Sequence, residues 1–235
     1  MTNLYPFLLD RDNPRDLRET PLSPPERYRM AEEYRQFIDQ IIASNIEIEA
    51  RTWRIREVLK KEYKDATTEP KNRVIVIPIL EGASNFYNGL FRTKPTFHHR
   101  AISLTSKSYN NSTQTGDLNL NQDNLKEIAE SIPGERVIIV EDIIDTGNTL
   151  KGIVDILQSL NPKDMKIVSL LTKPDRHESK NLEALLPHIA SIGFIIPNLF
   201  VIGYGLDAGG FLREFPHLAT LSKYSIKKLI KKLNF

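Results

Sequence analysis

The run from Val137 to Leu150, VIIVEDIIDTGNTL, constrains this chain more than any other stretch. Four consecutive branched apolar residues, Val137, Ile138, Ile139 and Val140, are too few for a helix and suit a strand buried on both faces of a parallel sheet. The pattern predicts that this strand ends where Glu141 and Asp142 begin. A third carboxylate, Asp145, follows Ile143 and Ile144 and leads into Thr146, Gly147, Asn148 and Thr149. Leu150, Ile153, Val154, Ile156, Leu157 and Leu160 then recur at helical spacing, which places the small polar residues at a helix N-terminus.

Backbone N–H groups at a helix start point outward, and the helix dipole adds partial positive charge there, an arrangement that suits a phosphate. Gly147 permits close backbone approach, while Thr146 and Thr149 contribute hydroxyl donors. Adjacent carboxylates at a strand end can accept hydrogen bonds from a vicinal diol or hold a hydrated magnesium ion. The plainer alternative is an acidic turn that only caps a helix. The ordered combination of strand, ED, D, TG and T resembles the signature loop of the type I phosphoribosyltransferases. That resemblance implies that Glu141, Asp142, Ile143, Asp145, Thr146, Gly147, Asn148 and Thr149 bind the ribose and 5-phosphate of phosphoribosyl pyrophosphate.

At 235 residues the chain can bury one substantial core, with room for a smaller lobe but not for two full domains. No apolar run approaches the ~20 residues of a membrane span, and the N-terminal stretch lacks a basic flank, so a cytoplasmic location is the default expectation. The absence of cysteine excludes disulfides, thiol catalysis and zinc–thiolate sites together. A formal net charge of +2 gives no argument for a nucleic-acid partner.

Residues 1–40 read as an extension, because Pro6, Pro14, Pro21, Pro24 and Pro25 break every periodic pattern. A surface wrap is expected there, with a loosely amphipathic helix from Pro25 that carries Tyr28, Met30, Ala31, Tyr34, Phe37 and Ile38. A short strand is expected at Ile41 to Ala43. Ser44 and Glu47 then form the S-x-x-E pattern of a capping box for a helix ending near Tyr63, with Ile48, Ile55, Leu59 and Trp53 inward. Val74 to Leu80, VIVIPIL, reads as a central strand that turns at Glu81, Gly82, Ala83 and Ser84 into a helix through Phe86, Leu90 and Phe91. This is a second anion-binding arrangement.

Ala101 to Ser106 alternates as one strand, the polar stretch KSYNNSTQTGDL follows, and a short helix is expected near Leu125 to Ser131. Another buried strand, Lys166 to Thr172, ends in Lys173, where a lysine at a sheet's C-terminal edge can donate to a carbonyl oxygen of a base. The chain closes with a lysine-rich segment, 222–235, read as a solvated terminal helix.

Further blocks resemble the hypoxanthine-guanine branch of the same family. In IGFIIPNLFVIGYGLDAGGFLREFPHL, Ile192 to Leu218, the matching order is Gly193-Phe194, Pro197, Phe200-Val201, Gly203-Tyr204, Leu206-Asp207, Phe211 and Arg213. The resemblance implies that Phe200 stacks on the purine, the Val201 backbone reads its edge, Asp207 binds magnesium with Glu141 and Asp142, and Arg213 meets the pyrophosphate. It makes Ser108-Tyr109 part of a closing lid, Lys173 a donor to O6 of the base, and Asp145 the general base. Glu81 and Gly82 correspond to the loop that binds pyrophosphate. The sequence departs from the family there, since the branch often carries a basic residue at Glu81 and glycine at Ala83.

The implied fold is α/β, a mainly parallel twisted sheet flanked by helices, with a small hood. The expected division is a core over 41–180 and, over 181–221, a hood and purine-recognition segment returning to the core. The implied activity joins hypoxanthine or guanine to phosphoribosyl pyrophosphate with magnesium, in a homodimer or homotetramer. The alternative is a regulatory protein that keeps the fold, senses these ligands and binds nucleic acid through its lysines.

Overall fold

A computed structural model of the protein describes residues 14–28, 30–68, 72–91, 96–107, 119–120 and 122–222. The expected lid with Ser108 and Tyr109, and the lysine-rich terminus, lie outside these residues. In chain order the strands are β1 (Arg15–Asp16), β2 (Ile38–Ala43), β3 (Val74–Leu80), β4 (His99–Ala101), β5 (Leu104–Lys107), β6 (Asn119–Leu120), β7 (Arg136–Ile144), β8 (Asp164–Thr172), β9 (Ile189–Ile195), β10 (Val201–Ile202) and β11 (Leu218–Leu221). The helices are α1 (Glu32–Arg35), α2 (Asn45–Glu62), α3 (Lys64–Thr68), α4 (Ser84–Phe91), α5 (Gln122–Ser131), α6 (Asn148–Ser159) and α7 (Ser179–Leu185).

The main sheet runs β1-β9-β8-β7-β3-β5-β6, with β4 also paired to β3. All of its pairings are parallel except β5 with β6. Alternation along the central strands covers both faces. Val74, Val76, Ile138, Val140, Val168 and Leu170 join one core with Ile48, Ile55 and Leu59 of α2 and Phe86 and Leu90 of α4. Ile75, Ile77, Val137, Ile139 and Ile167 join the other with Ile128 of α5, Ile153 and Leu157 of α6, and Leu185 of α7. The hood is a separate antiparallel sheet, β10-β11-β2, which draws one strand from between β1 and β3 and two from after β9.

The structure differs from the sequence reading in several places. β7 does not stop at Val140; it pairs with β8 as far as Ile144 and Thr172, because Ile143 and Ile144 restore the apolar pattern beyond the two carboxylates. The stretch expected as one strand from Ala101 divides into β4 and β5 around Ile102 and Ser103. The N-terminal extension is more than a surface wrap: β1 adds a parallel edge strand to β9, and Leu17 is buried. At Pro25 there is only a 3₁₀ turn, Pro25–Arg27, followed by the four-residue α1. Residues 181–195 belong to α7 and β9 of the main body, whereas β2 belongs to the hood.

The capping box forms as expected. Ser44 Oγ accepts from the Glu47 N–H, and the Glu47 carboxylate accepts from the Ser44 N–H at 2.9 Å. Trp53, by contrast, is 58% exposed, since Ile48, Thr52, Ile55 and Leu59 already define the inward stripe of α2. No helix among the described residues is long and apolar enough to cross a membrane.

Candidate active site

The site is assembled at the C-terminal ends of β3, β7 and β8, adjacent strands of the sheet, where open α/β folds bind ligands. β7 delivers its carboxylates from within the strand. Glu141 lies opposite Ser169 of β8, and its Oε2 is buried with no hydrogen-bond partner among the described residues. Burial, with the neighbouring Asp142 charge adding to it, holds the Glu141 carboxyl well above the usual carboxylate range. Asp142 is raised as well, by burial, against the opposing effects of the Glu141 side chain, the Ile143 N–H and the Arg213 charge.

Beyond β7 the chain turns through Gly147, whose φ of 83° suits a residue without Cβ, and α6 begins at Asn148. Asp145 stands at the mouth of this turn. Its carboxylate accepts from Arg176 Nε at 3.0 Å and lies 3.9 Å from Lys173 Nζ. Lys173 follows β8 directly and is largely buried, and desolvation lowers its ammonium pKa while Asp145 opposes the fall. Strand pairing alone brings this acceptor and donor together: Ile144 pairs with Thr172, and the Lys173 N–H donates to the Ile144 carbonyl at 3.0 Å.

The β3 turn is closed. Its first peptide bond, Leu80–Glu81, is cis. In this turn, read from the sequence as an anion-binding arrangement, the Ala83 N–H donates to Ile79 O at 3.2 Å and the Ser84 N–H to Glu81 O at 3.1 Å, so neither is left for an anion. A Cβ at Gly82 would stand 1.7 Å from Asp142 Oδ2, and one at Gly205 would stand 2.2 Å from Gly82 O. These two glycines thus pack the turn against β7 on one side and the hood loop on the other.

In the hood loop Arg213 makes three connections. It pairs with Asp207 Oδ1 at 2.9 Å, donates to Gly205 O at 2.8 Å, and reaches Glu81 Oε2 at 3.4 Å. The Asp207 carboxylate also accepts from the Gly210 N–H at 2.5 Å. Phe200 is 57% exposed, and Val201 is buried in β10.

Sequence reasoning missed the segment from Arg176 to Asn181. The His177 Nε2–H donates to Ile144 O at 3.3 Å and shares a 2.8 Å hydrogen bond with Thr172 Oγ1. The Glu178 N–H donates to Thr146 O at 3.2 Å, and Glu178 accepts from Asn148 Nδ2 at 2.8 Å. No periodicity marks these polar loop residues, and they lie roughly thirty positions beyond the loop they touch.

Residues 43–208 match the family described as the phosphoribosyl transferase domain. The hypoxanthine phosphoribosyltransferase of Buchnera aphidicola is 34% identical over 183 residues, which cover 77% of this chain and 95% of that protein. The hypoxanthine-guanine phosphoribosyltransferase of Mycobacterium tuberculosis is 34% identical over 195 residues, with 81% and 90% covered. Among solved structures, a Trypanosoma cruzi hypoxanthine phosphoribosyltransferase superposes with a TM-score of 0.71 at 26% identity, covering 86% of this chain and 98% of that one. Fold and relatives agree, and the chain belongs to the phosphoribosyltransferase family, among its hypoxanthine and hypoxanthine-guanine members.

Proposed function

We propose that this protein is a purine salvage enzyme that transfers the phosphoribosyl group of phosphoribosyl pyrophosphate to hypoxanthine or guanine, releasing pyrophosphate. The observation that carries the reading is the 3.9 Å approach of Lys173 Nζ to the Asp145 carboxylate at the ends of paired strands. A 6-oxopurine offers a carbonyl oxygen at C6 and a proton at N7 on the same edge, so an adjacent donor and acceptor match it. The regulatory alternative would use this pairing only to bind a base, and the relatives named as phosphoribosyltransferases favour the enzyme.

As the bond from the sugar to pyrophosphate breaks, positive charge develops on the ribose and negative charge on the leaving group. Asp145 accepts the N7 proton as general base, and Lys173 holds O6. The turn into α6 holds the 5-phosphate, and Phe200, exposed at the start of β10, stacks on the base. Arg213 faces the leaving group from the hood.

The donor set also fits magnesium, because Glu141 presents a buried, unpartnered oxygen beside a second carboxylate. Among the described residues no group of three His, Cys, Asp or Glu side chains is placed to hold a metal by itself. Glu141 with Asp142 on β7, and separately Asp207 in the hood loop, would therefore hold magnesium only with oxygens of the substrate completing the set. When bound, it neutralises charge on the pyrophosphate. The reading extends to a cytoplasmic homodimer or homotetramer, and a solved relative from Trypanosoma cruzi has been examined for its oligomeric state.

Steady-state assays with hypoxanthine, guanine, xanthine and adenine, each with magnesium and phosphoribosyl pyrophosphate, test the proposal. The expected result is turnover with a 6-oxopurine and little with adenine, whose 6-amino group a lysine cannot satisfy. Truncation by Lys173→Ala should raise KM for the base and narrow the gap to adenine. A wild-type preference for adenine sinks the assignment.

A further inference from the structure

Within the phosphate turn the Asn148 N–H donates to Thr146 Oγ1 at 3.4 Å, and further support comes from outside it. The Thr146 carbonyl, at its centre, points at the segment after β8: it accepts from the Glu178 N–H at 3.2 Å and from Asn181 Nδ2 at 3.3 Å. Two donors on one carbonyl fix the plane of the Thr146–Gly147 peptide. In a planar trans peptide the N–H points opposite to the C=O, so this anchoring turns the Gly147 N–H away from α7. That is the side on which the start of α6 is open to an anion.

Asn181 is the hub of this bracing. It is 6% exposed, at the start of α7, and its Nδ2 also donates to Asn148 Oδ1 at 2.6 Å and lies 3.4 Å from Glu178 Oε2. Asn148 in turn donates to Glu178 Oε1 at 2.8 Å, which closes a ring of three side chains around the turn. Asn181 Cβ lies 3.2 Å from where a Cβ on Gly147 would stand, so the brace presses directly on the left-handed residue.

We propose that Asn181 is a positioning residue for the 5-phosphate subsite: it touches no substrate and acts by holding the Thr146–Gly147 peptide with its N–H toward the phosphate. This inference rests on the reading of the site given above. The variant Asn181→Leu keeps the branching of the side chain but removes the Nδ2 donor, leaving only the Glu178 N–H on the Thr146 carbonyl, and Asn181→Ala serves the same purpose should the leucine variant fail to fold.

The decisive measurement is the dissociation constant for inosine 5′-monophosphate against that for inosine, which differ only in the phosphate. In the variant, monophosphate binding should weaken about tenfold, the effect of roughly one hydrogen bond, while inosine binding stays within twofold. KM for phosphoribosyl pyrophosphate should rise by about the same factor, with a much smaller fall in kcat. Equal weakening of both ligands, or no change in either, overturns the proposal, because a merely structural role does not distinguish them. A wild-type protein that binds the monophosphate no more tightly than inosine overturns the site reading itself, an outcome visible before any variant is made.

Discussion

The turn after β7 and the turn after β3 have the same layout, a strand giving way through a glycine to a helix, yet they leave their backbones in opposite states. In the first, the left-handed Gly147 swings the chain outward, and donors from Arg176 to Asn181 occupy its side chains and its Thr146 carbonyl. In the second, Gly82 is pressed onto Asp142, and the Ala83 and Ser84 N–H groups are bonded within the turn. The first keeps one long internal contact, Asn148 N–H to Thr146 Oγ1 at 3.4 Å, and is braced from outside; the second is bonded within itself and serves as a wall for its neighbour. A strand, a small residue and a helix are thus insufficient to make an anion site. What decides is which backbone groups the rest of the chain has already engaged.

The largest effect should come from the open turn. Asp145→Asn removes the proposed general base without changing shape, and such groups are typically worth ~10²- to 10⁴-fold in rate. Turnover should fall by that order while KM for the base moves little, since the loss is chiefly in the transition state. Wild-type turnover with hypoxanthine at neutral pH would reassign Asp145 to a binding role, with its contacts to Arg176 and Lys173 as its purpose.

The closed turn should answer differently. Gly82→Ala inserts a methyl group where Asp142 Oδ2 now lies 1.7 Å away, so Asp142 must move or the turn must retreat. Overpacking of this kind costs about 1 to 3 kcal/mol, and the displaced carboxylate should weaken magnesium-dependent activity beyond what the stability loss explains. Thermal unfolding and the magnesium dependence of the rate, measured on the same variant, separate the two contributions. Unchanged magnesium dependence would mean that Asp142 is structural and that the two turns are uncoupled.

Glu141, on β7 between these turns, gives a test of opposite sign. Its buried Oε2 has no hydrogen-bond partner among the described residues, so the folded protein favours the protonated carboxyl. A carboxyl whose folded pKa is raised destabilises the fold increasingly as pH climbs above its unfolded value. Glu141→Gln should therefore stabilise the metal-free protein at neutral pH, on the order of 1 kcal/mol, while lowering activity. The stability gain should vanish below the ordinary carboxylate range, where the wild type is protonated in both states. A denaturant series at neutral and acidic pH checks this, and a destabilised variant at neutral pH would refute it.

Legibility in the sequence divided along the same line. The buried strands, the capping box at Ser44 and the turn at Gly147 follow from local pattern, because burial, capping and a helix start each leave a period or a spacing. The continuation of β7 through Glu141 and Asp142 was not legible, since carboxylates inside a strand look like its end. Pairing with Ser169, Leu171 and Thr172 of β8 overrides that local signal. The brace at His177, Glu178 and Asn181 leaves no trace in the sequence, because polar residues that hold a distant loop have no periodicity of their own. The pairing of Asp207 with Arg213, and the reach of Arg213 to Glu81 across the chain, depend on how the hood folds over the β3 turn and have no local signal either.

That last contact sets the smallest predicted effect. The Glu81 side chain is 70% exposed and lies 3.4 Å from Arg213 Nε, and an exposed pair of this kind is worth roughly 0 to 1 kcal/mol. Arg213 is held independently by Asp207 and by Gly205 O, so it should stay in place when Glu81 is changed. On the proposed reading, with the Ala83 N–H already engaged, pyrophosphate at this turn would depend on side chains and on whatever backbone the turn leaves free, and there a carboxylate is a like-charge neighbour. Glu81→Lys replaces repulsion with attraction beside the substrate while forfeiting only a weak surface pair. Turnover should persist, and KM for phosphoribosyl pyrophosphate should stay the same or fall by a few-fold. Glu81→Gln should lie between the two. A rise in KM of tenfold or more, about 1.4 kcal/mol, would show that Glu81 orients Arg213 after all. The closed turn would then be a working part of the site rather than a wall.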